Sequence, residues 1–252
     1  MSKLETAYGE FADYYDQLMQ DAPYDRWMNW TREALARYDL MPRHVADLGC
    51  GTGTLSLRLF EAGYKVTGVD LSEEMLANAE AKIEQHSPRL QFLCQDLREL
   101  RLPSPCDLAI AFCDTLNYLT EEDDLRQALV QIRRALAPGG VFLFDVHSLH
   151  KLREKLGNQF FYQVDDEVSY LWQSRFDAKY DAVEYDITFF ALEDEEEQLY
   201  RRFHETHVQR AYALETWQRL LREAGFQTME VYADFAWDVP TNTSERLFFV
   251  AK

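Results

Sequence analysis

The stretch Asp47-Leu48-Gly49-Cys50-Gly51-Thr52-Gly53 places three glycines at alternate positions directly after a short apolar run. Bare backbone of this kind passes close to a ligand, and a helix opening behind it turns N–H groups toward that ligand. A dinucleotide fingerprint requires Gly or Ala at position 54, but Thr54 stands there and the third glycine comes one residue early. The spacing therefore argues against a dehydrogenase, and a tight turn without ligand is the plainer alternative. Asp70 lies 17 positions beyond Gly53, at the end of the next apolar run. A carboxylate at a second strand end accepts hydrogen bonds from both hydroxyls of a ribose. After a third run comes Asp96-Leu97, where the side chain suits an exocyclic adenine amine and the Leu97 N–H a ring nitrogen. A second concentration of titratable groups is Phe203-His204-Glu205-Thr206-His207-Val208-Gln209-Arg210-Ala211-Tyr212. Strand alternation puts His204, Arg210 and Tyr212 on one face and Phe203 and His207 on the other, so only one set can meet a pocket.

These groups need elements to hold them. From residue 43 to 146 short apolar runs alternate with helix-period stretches, the pattern of a parallel sheet with crossover helices. Strands are expected at His44–Leu48, Lys65–Asp70, Arg89–Cys94, Cys106–Phe112 and Val141–Val146. Between them, helices are expected at 52–62, stopped by Gly63, at 73–85 behind the N-cap Ser72, and at 121–136 behind Thr120. From 160 to 212 glycine and proline almost vanish and aromatics alternate with period two. Antiparallel strands are expected at 160–164, 168–175, 183–191 and 198–212, with the acid run Glu193–Glu197 as a turn. A helix over 214–224 and strands at 226–232 and 246–251 then complete a seven-stranded sheet. Residues 5–20 and 23–38 read as two amphipathic aromatic helices ahead of it.

Composition narrows the partners. The chain of 252 residues has 26 Lys plus Arg against 44 Asp plus Glu, a formal charge of −18. Such a field repels phosphate backbones and anionic headgroups, so direct nucleic-acid or membrane binding is not expected. No apolar window is long enough to span a bilayer, and the start MSKLETAYGEF lacks the apolar core of an export signal. Cys50, Cys94, Cys106 and Cys113 show no C-x-x-C pairing, which points to reduced thiols in the cytoplasm rather than zinc or disulfides.

These motifs, at these places in a β-α series followed by an inserted sheet, resemble the class I S-adenosylmethionine-dependent methyltransferases over nearly the whole chain. The stretches Tyr8–Met19, Pro23–Trp27, Cys113–Leu119, Phe142–Ser148 and Thr243–Phe249 are similar to a bacterial subfamily whose acceptor is uncharacterised. The resemblance implies a Rossmann-like α/β fold and S-adenosylmethionine as cofactor. It places Asp47, Gly49, Cys50, Gly51 and Gly53 around the methionine moiety, Asp70 with Leu71 at the ribose, Met75 over the adenine, and Asp96 and Leu97 at its edge. It sets Cys113 and Asp114 beside the sulfonium. At that point the chain has Asp114-Thr115-Leu116-Asn117 rather than the Asp/Asn-Pro-Pro-Tyr of base-amine methylators.

In-line displacement is mostly positioning, with a base only where the acceptor must lose a proton, and no metal is required. Asp114, Asn117, Tyr118 and His147 come from strand ends on the ligand side of such a sheet and are candidates for acceptor contacts. For His147, a plain hydrogen-bonded strand-end histidine stands equally with a general base. The insertion is expected to roof the acceptor cavity through His204, Arg210 and Tyr212, a self-packing sheet or dimer surface being the alternative. Among Tyr8, Phe11, Tyr15, Tyr24 and Trp27, which close over a donor or simply pack, Tyr15 and Tyr24 are the better candidates for contact. The expected organisation is a helical cover over 1–40, a methyltransferase core over 41–150 and 213–252, and a β lid over 151–212. The expected function is methyl transfer to a small molecule by a monomer or homodimer. The alternatives are methylation of RNA or a ribosome-associated substrate, and a non-catalytic donor-binding module.

Overall fold

In a computed structural model, residues 9–252 are described. The strands β1 (His44–Leu48), β2 (Lys65–Asp70), β3 (Leu90–Cys94), β4 (Cys106–Ala111) and β5 (Leu136–His147) pair in parallel. All five residues of β1 are buried, as a central parallel strand covered on both faces requires. The last strands, β10 (Met229–Ala233) and β11 (Arg246–Ala251), join antiparallel beside β5. The order across the seven-stranded sheet is β10-β11-β5-β4-β1-β2-β3, which reverses between β1 and β4. An open sheet leaves a crevice at the carboxyl ends of its strands at such a reversal.

Helices cover both faces. On one, Leu125, Ala128, Leu129 and Ile132 of α5 (Glu122–Ala135) and Trp217, Leu220 and Leu221 of α6 (Leu214–Glu223) pack on Phe142, Phe144 and Phe249. On the other, Trp27, Trp30 and Ala34 of α2 (Tyr24–Arg37) and Leu55 and Leu59 of α3 (Thr54–Glu61) pack on Val45, Ile110 and Phe248. Ser72 caps α4 (Glu73–Ala81), its hydroxyl accepting from the Met75 N–H at 3.0 Å. The helix expected to reach 85 ends at Ala81, with Lys82 as its C-cap and the Lys82 ammonium donating to the Thr52 carbonyl at 2.9 Å. Thr120 does not cap α5; Glu121 occupies that position.

The insertion is a four-stranded antiparallel sheet in the order β6 (Phe160–Gln163), β7 (Val168–Asp177), β8 (Ala182–Asp194), β9 (Leu199–Arg210), entered through a single π-helical turn at Lys151–Leu156. Its buried face carries Tyr185, Ile187, Phe189 and Phe203. The expected first helix is instead a 3₁₀ turn at Glu10–Asp13 followed by the short α1 (Tyr15–Leu18). Tyr8 lies outside the described residues. Phe11 stacks on Phe189 at 4.9 Å and Asn78 of α4 donates to the Ala12 carbonyl at 3.0 Å, so this segment bridges the insertion and a helix flanking the main sheet. Among the described residues no helix is long and apolar enough to cross a membrane.

Candidate active site

The glycine loop leaves β1 with Gly49 at φ +71° and Gly51 at φ +53°. A Cβ on Gly49 would collide with Thr115, whereas one on Gly51 would meet nothing within 4 Å. Gly49 is thus demanded by packing, and Gly51 faces open space where atoms of a ligand can lie. The loop is pinned by the neighbouring strand. The Gly49 and Cys50 N–H groups donate to the Val69 carbonyl at 2.7 and 3.0 Å, and the Gly51 N–H donates to Asp70 Oδ2 at 2.8 Å. Asp70 Oδ1 accepts from the Ser72 N–H at 3.0 Å. Burial raises the Asp70 carboxyl, while those N–H groups act against the rise. Beneath the loop, Asp47 Oδ2 accepts from Ser56 Oγ at 2.6 Å, and burial pushes Asp47 up to about 6.

Over the carboxyl ends of β1 to β4 lies a cavity of about 440 Å³, within the range of small-molecule sites. It gathers Tyr15, Gly49, Gly51, Asp70, Leu71, Met75, Asp96, Leu97, Cys113 and Tyr118 from the expected set, and adds Gly9, Ser72, Glu73, Glu74, Cys94, Gln95, Thr115 and Leu119. A hollow of about 30 Å³ adjoins it, shared by Tyr15, Tyr24, Asp47, Cys50 and Cys113. Gly53 lines neither. It caps α3 at φ +75°, and a Cβ there would press on Ala79 and Phe92 at 2.9 Å, so its role is packing. Asp96 lines the cavity while both its oxygens receive the Arg98 guanidinium at 2.8–3.0 Å through Nε. Burial raises Asp96, and the Arg98 contacts outweigh it and hold the carboxyl below its ordinary range.

Where β4 ends, Cys113 and Asp114 both adopt left-handed backbone, φ +57° and +54°. Two such non-glycine residues cost of order 1–3 kcal/mol each and persist only where surroundings hold them. The hold is visible. Arg246 Nη2 donates to Asp114 Oδ1 at 2.9 Å, Arg246 Nη1 pairs with the fully buried Asp145, and Gln209 Nε2 donates to Asp114 Oδ2 at 2.6 Å. Burial pushes Asp114 up, and the Arg246 guanidinium and the Gln209 amide act against that rise, leaving the carboxyl below its usual range. Burial pushes Asp145 up to about 6.

The structure moves several expected acceptor contacts away from the cavity. Asn117 is buried, and its side chain is engaged with backbone: Oδ1 accepts from the His147 N–H at 2.9 Å, and Nδ2 donates to the His147 and Arg210 carbonyls at 3.3 and 2.9 Å. It is a clip joining three elements. His147 lies behind the cavity wall. Arg246 Nη2, which can only donate, sits 2.8 Å from His147 Nε2, so that nitrogen is the acceptor and the ring is neutral. Burial lowers His147 to about 4, which agrees with the plain strand-end reading. His204 is exposed and pairs with Asp186 at 2.7 Å. Arg210 donates to the Thr120 carbonyl at 2.8 Å, and the Tyr212 hydroxyl donates to the Leu119 carbonyl at 2.7 Å while its ring packs against Trp217. None of these three lines the cavity.

It is the opposite face of β9 that turns inward. Glu205, His207 and Gln209 are buried at 5, 4 and 2% exposure. His207 Nε2 lies 3.0 Å from Glu205 Oε2 and its Nδ1 3.4 Å from the Tyr118 hydroxyl. The sequence does mark this face, since Phe203 and Ala211 bracket the alternating set. Arg246 was not on the expected list; its partners lie 99–132 positions away in the chain.

A sheet reversing between β1 and β4, with a glycine cradle and a strand-end carboxylate at the reversal, defines an α/β protein built for a nucleoside-like ligand. A methyltransferase domain family matches residues 45–140. A chain of Geobacillus sp. strain WCH70 bearing a methyltransferase name is 42% identical over 97% of this chain and 99% of its own. The crystal structure of an S-adenosylmethionine-dependent methyltransferase from Clostridium acetobutylicum is 33% identical, with TM-score 0.85, over 97% of this chain and 98% of that one. A dTDP-4-amino-2,3,4,6-tetradeoxy-D-glucose N,N-dimethyltransferase of Saccharopolyspora spinosa is 33% identical over 54% of each chain. The chain belongs to the S-adenosylmethionine-dependent methyltransferases of class I.

Proposed function

We propose that the chain binds S-adenosylmethionine in the 440 Å³ cavity and transfers its methyl group in line to a small-molecule acceptor. The observation that carries the reading is the junction of Gly51, open to the cavity, with Asp70, which holds the Gly51 N–H and itself lines that cavity. The donor supplies an electrophilic methyl group on a positively charged sulfur. In this reading Asp70 and Leu71 take the ribose, Met75 the adenine face, and Asp96 and Leu97 the adenine edge. Tyr15, Tyr24, Asp47, Gly49, Cys50 and Cys113 border the methionine end, where the small hollow offers room. The carboxylates of Asp70, Glu73, Glu74 and Asp96 make the lining acidic, which suits a cationic donor. The acceptor approaches beside Thr115, Tyr118 and Leu119. The amino-sugar acceptor of the Saccharopolyspora relative supports a small molecule over a polymer, as does the charge of −18.

Calorimetry with S-adenosylmethionine, S-adenosylhomocysteine and NAD tests donor choice, because Thr54 departs from the dinucleotide spacing. Both adenosyl ligands should bind and NAD should not. Methyl-labelled donor incubated with a fractionated metabolite extract should then label a small molecule. Tight NAD binding with no response to either adenosyl ligand overturns the reading.

A further inference from the structure

We propose that Tyr118, His207 and Glu205 form a proton relay that opens onto the acceptor side of the cavity, Tyr118 being the catalytic residue. The inference rests on the methyltransferase reading above. Tyr118 lines the cavity together with Cys113 and Thr115, in the same wall as the strained end of β4. Behind it the His207 and Glu205 side chains are only 3 and 4% exposed. Glu205 Oε2, 3.0 Å from His207 Nε2, accepts from that nitrogen, which fixes the ring proton there. Nδ1 is then the bare nitrogen, and it is the atom facing the Tyr118 hydroxyl at 3.4 Å. Acid, imidazole and hydroxyl thus stand in the order of a carboxylate-oriented base acting on a hydroxyl.

The position of the three is fixed from several sides. Glu205 Oε1 accepts from the Phe11 N–H at 3.1 Å, and the Phe11 ring meets His207 edge-on at 6.3 Å. The far end of the relay is therefore also an anchor of the N-terminal segment over the cavity. Across the sheet, Tyr185 stands in register with His207. Among the described residues, the titratable groups near this corner include Tyr15, whose pKa is raised by burial and by Tyr24, Cys113, Tyr118 and Asp114, and the Asp114–His147–Arg246 group reached through Gln209. Arg246 is bound to Asp114, Asp145 and His147, and no Lys, Arg or His lines the cavity among the described residues.

The step balances as follows. An acceptor atom bearing a proton attacks the methyl carbon with its lone pair. The carbon–sulfur bond breaks, and its electron pair stays on sulfur. The acceptor's proton passes to the Tyr118 oxygen as the tyrosine's own proton moves to His207 Nδ1, leaving an imidazolium beside the Glu205 carboxylate. His207 and Glu205 act through Tyr118 and are positioning residues.

The test uses the full chain, S-adenosylhomocysteine, and methyl-labelled donor with a small-metabolite extract. Nitrogen NMR of ¹⁵N-histidine protein with S-adenosylhomocysteine bound should show His207 protonated at Nε2 at neutral pH, and a Nδ1–H tautomer overturns the relay. Tyr118→Phe and His207→Gln should each lower label transfer by about 10²-fold or more while donor affinity stays within about twofold. Tyr118→Phe combined with His207→Gln should lose little more than either alone, a non-additivity that loss of packing alone would not make. Glu205→Gln should fall between wild type and His207→Gln. Label transfer at the wild-type rate in both Tyr118→Phe and His207→Gln overturns the relay and leaves the methyltransferase reading standing. Loss of donor binding by the wild-type chain would instead overturn that reading.

Discussion

Gln209 on β9 donates its amide hydrogen to Asp114 Oδ2 across 2.6 Å, joining the inserted sheet to the residue that closes the end of β4. The same side chain accepts from the Tyr185 hydroxyl at 3.0 Å and faces His147 Nδ1 at 3.4 Å. One amide thus serves a half-buried carboxylate, a buried phenol and a half-buried imidazole. Asp114 is held on its other oxygen by Arg246 of β11. The left-handed turn at Cys113 and Asp114 is consequently fixed by two elements that lie far from it in the chain.

Gln209→Leu removes all three contacts and leaves a buried phenol without its acceptor. Loss of stability should be about 1–3 kcal/mol, read as a lower denaturant midpoint. Gln209→Glu should be worse than Leu at pH 7, since it sets a second carboxylate against Asp114, and should recover as the pH is lowered. Equal midpoints for wild type and both variants would mean that the latch contributes nothing.

Asp70→Ala should weaken donor binding by about 1.5–3 kcal/mol, the range for hydrogen bonds to a charged group. Asp70→Asn should lose nearly as much. Its two oxygens now accept from the Gly51 and Ser72 N–H groups, and an amide can offer an acceptor to only one of them. Calorimetry on the two variants checks this, and an Asn variant with wild-type affinity would show that loop shape does not depend on both bonds.

His147 has a pH signature of definite sign. Burial lowers it from 6.5 to about 4, so between those values the unfolded chain binds a proton that the native state refuses. Its contribution is fully present above pH 6.5 and is lost as the pH falls toward 4, by up to about 3 kcal/mol. Asp47 and Asp145, both pushed up to about 6, run the other way, adding stability at low pH that is lost as the pH rises through 6. Wild-type stability alone therefore mixes the two. The difference between wild type and His147→Gln isolates the histidine, and it should shrink by up to about 3 kcal/mol from pH 7 to pH 4. A pH-independent difference would mean that His147 titrates alike in the native and unfolded chain.

The strands were readable because each carries a short apolar run, and those of β1 and β2 stop at Gly49 and Asp70: β1, β2 and β11 begin and end where the pattern places them. The cleft was readable for a related reason, since Gly49, Gly51, Asp70, Asp96 and Cys113 all sit at strand ends, and an open sheet brings strand ends together. What failed was the choice of face on β9. Arg210 has the more obvious chemistry, but it stands where the strand leaves the sheet and its guanidinium reaches the Thr120 carbonyl. Phe203 and Ala211 mark the inward face, and Glu205 and His207 go with them at a depth where a polar pair must satisfy itself. The Arg246 group was not legible at all. It depends on the antiparallel register that sets Arg246 opposite His147, which only the assembled sheet specifies.

The N-terminal segment yields the last prediction. Asp16 on α1 accepts from Thr52 Oγ1 at 2.6 Å and pairs with Lys82, while Lys82 also holds the Thr52 carbonyl. These bonds fasten the segment to the glycine loop one residue away from Tyr15, which lines both the cavity and the small hollow. The fastening is partly exposed, so a single truncation should loosen it without unfolding the sheet. Asp16→Ala should speed dissociation of S-adenosylhomocysteine by about three- to tenfold, corresponding to about 0.6–1.4 kcal/mol, with association little changed. Thr52→Val, which keeps the loop's size but removes the hydroxyl, should reproduce most of that effect. Stopped-flow displacement on the two variants provides the measurement. Unchanged dissociation in both would assign the segment to packing against the insertion through Phe11 and Phe189, rather than to retention of the donor.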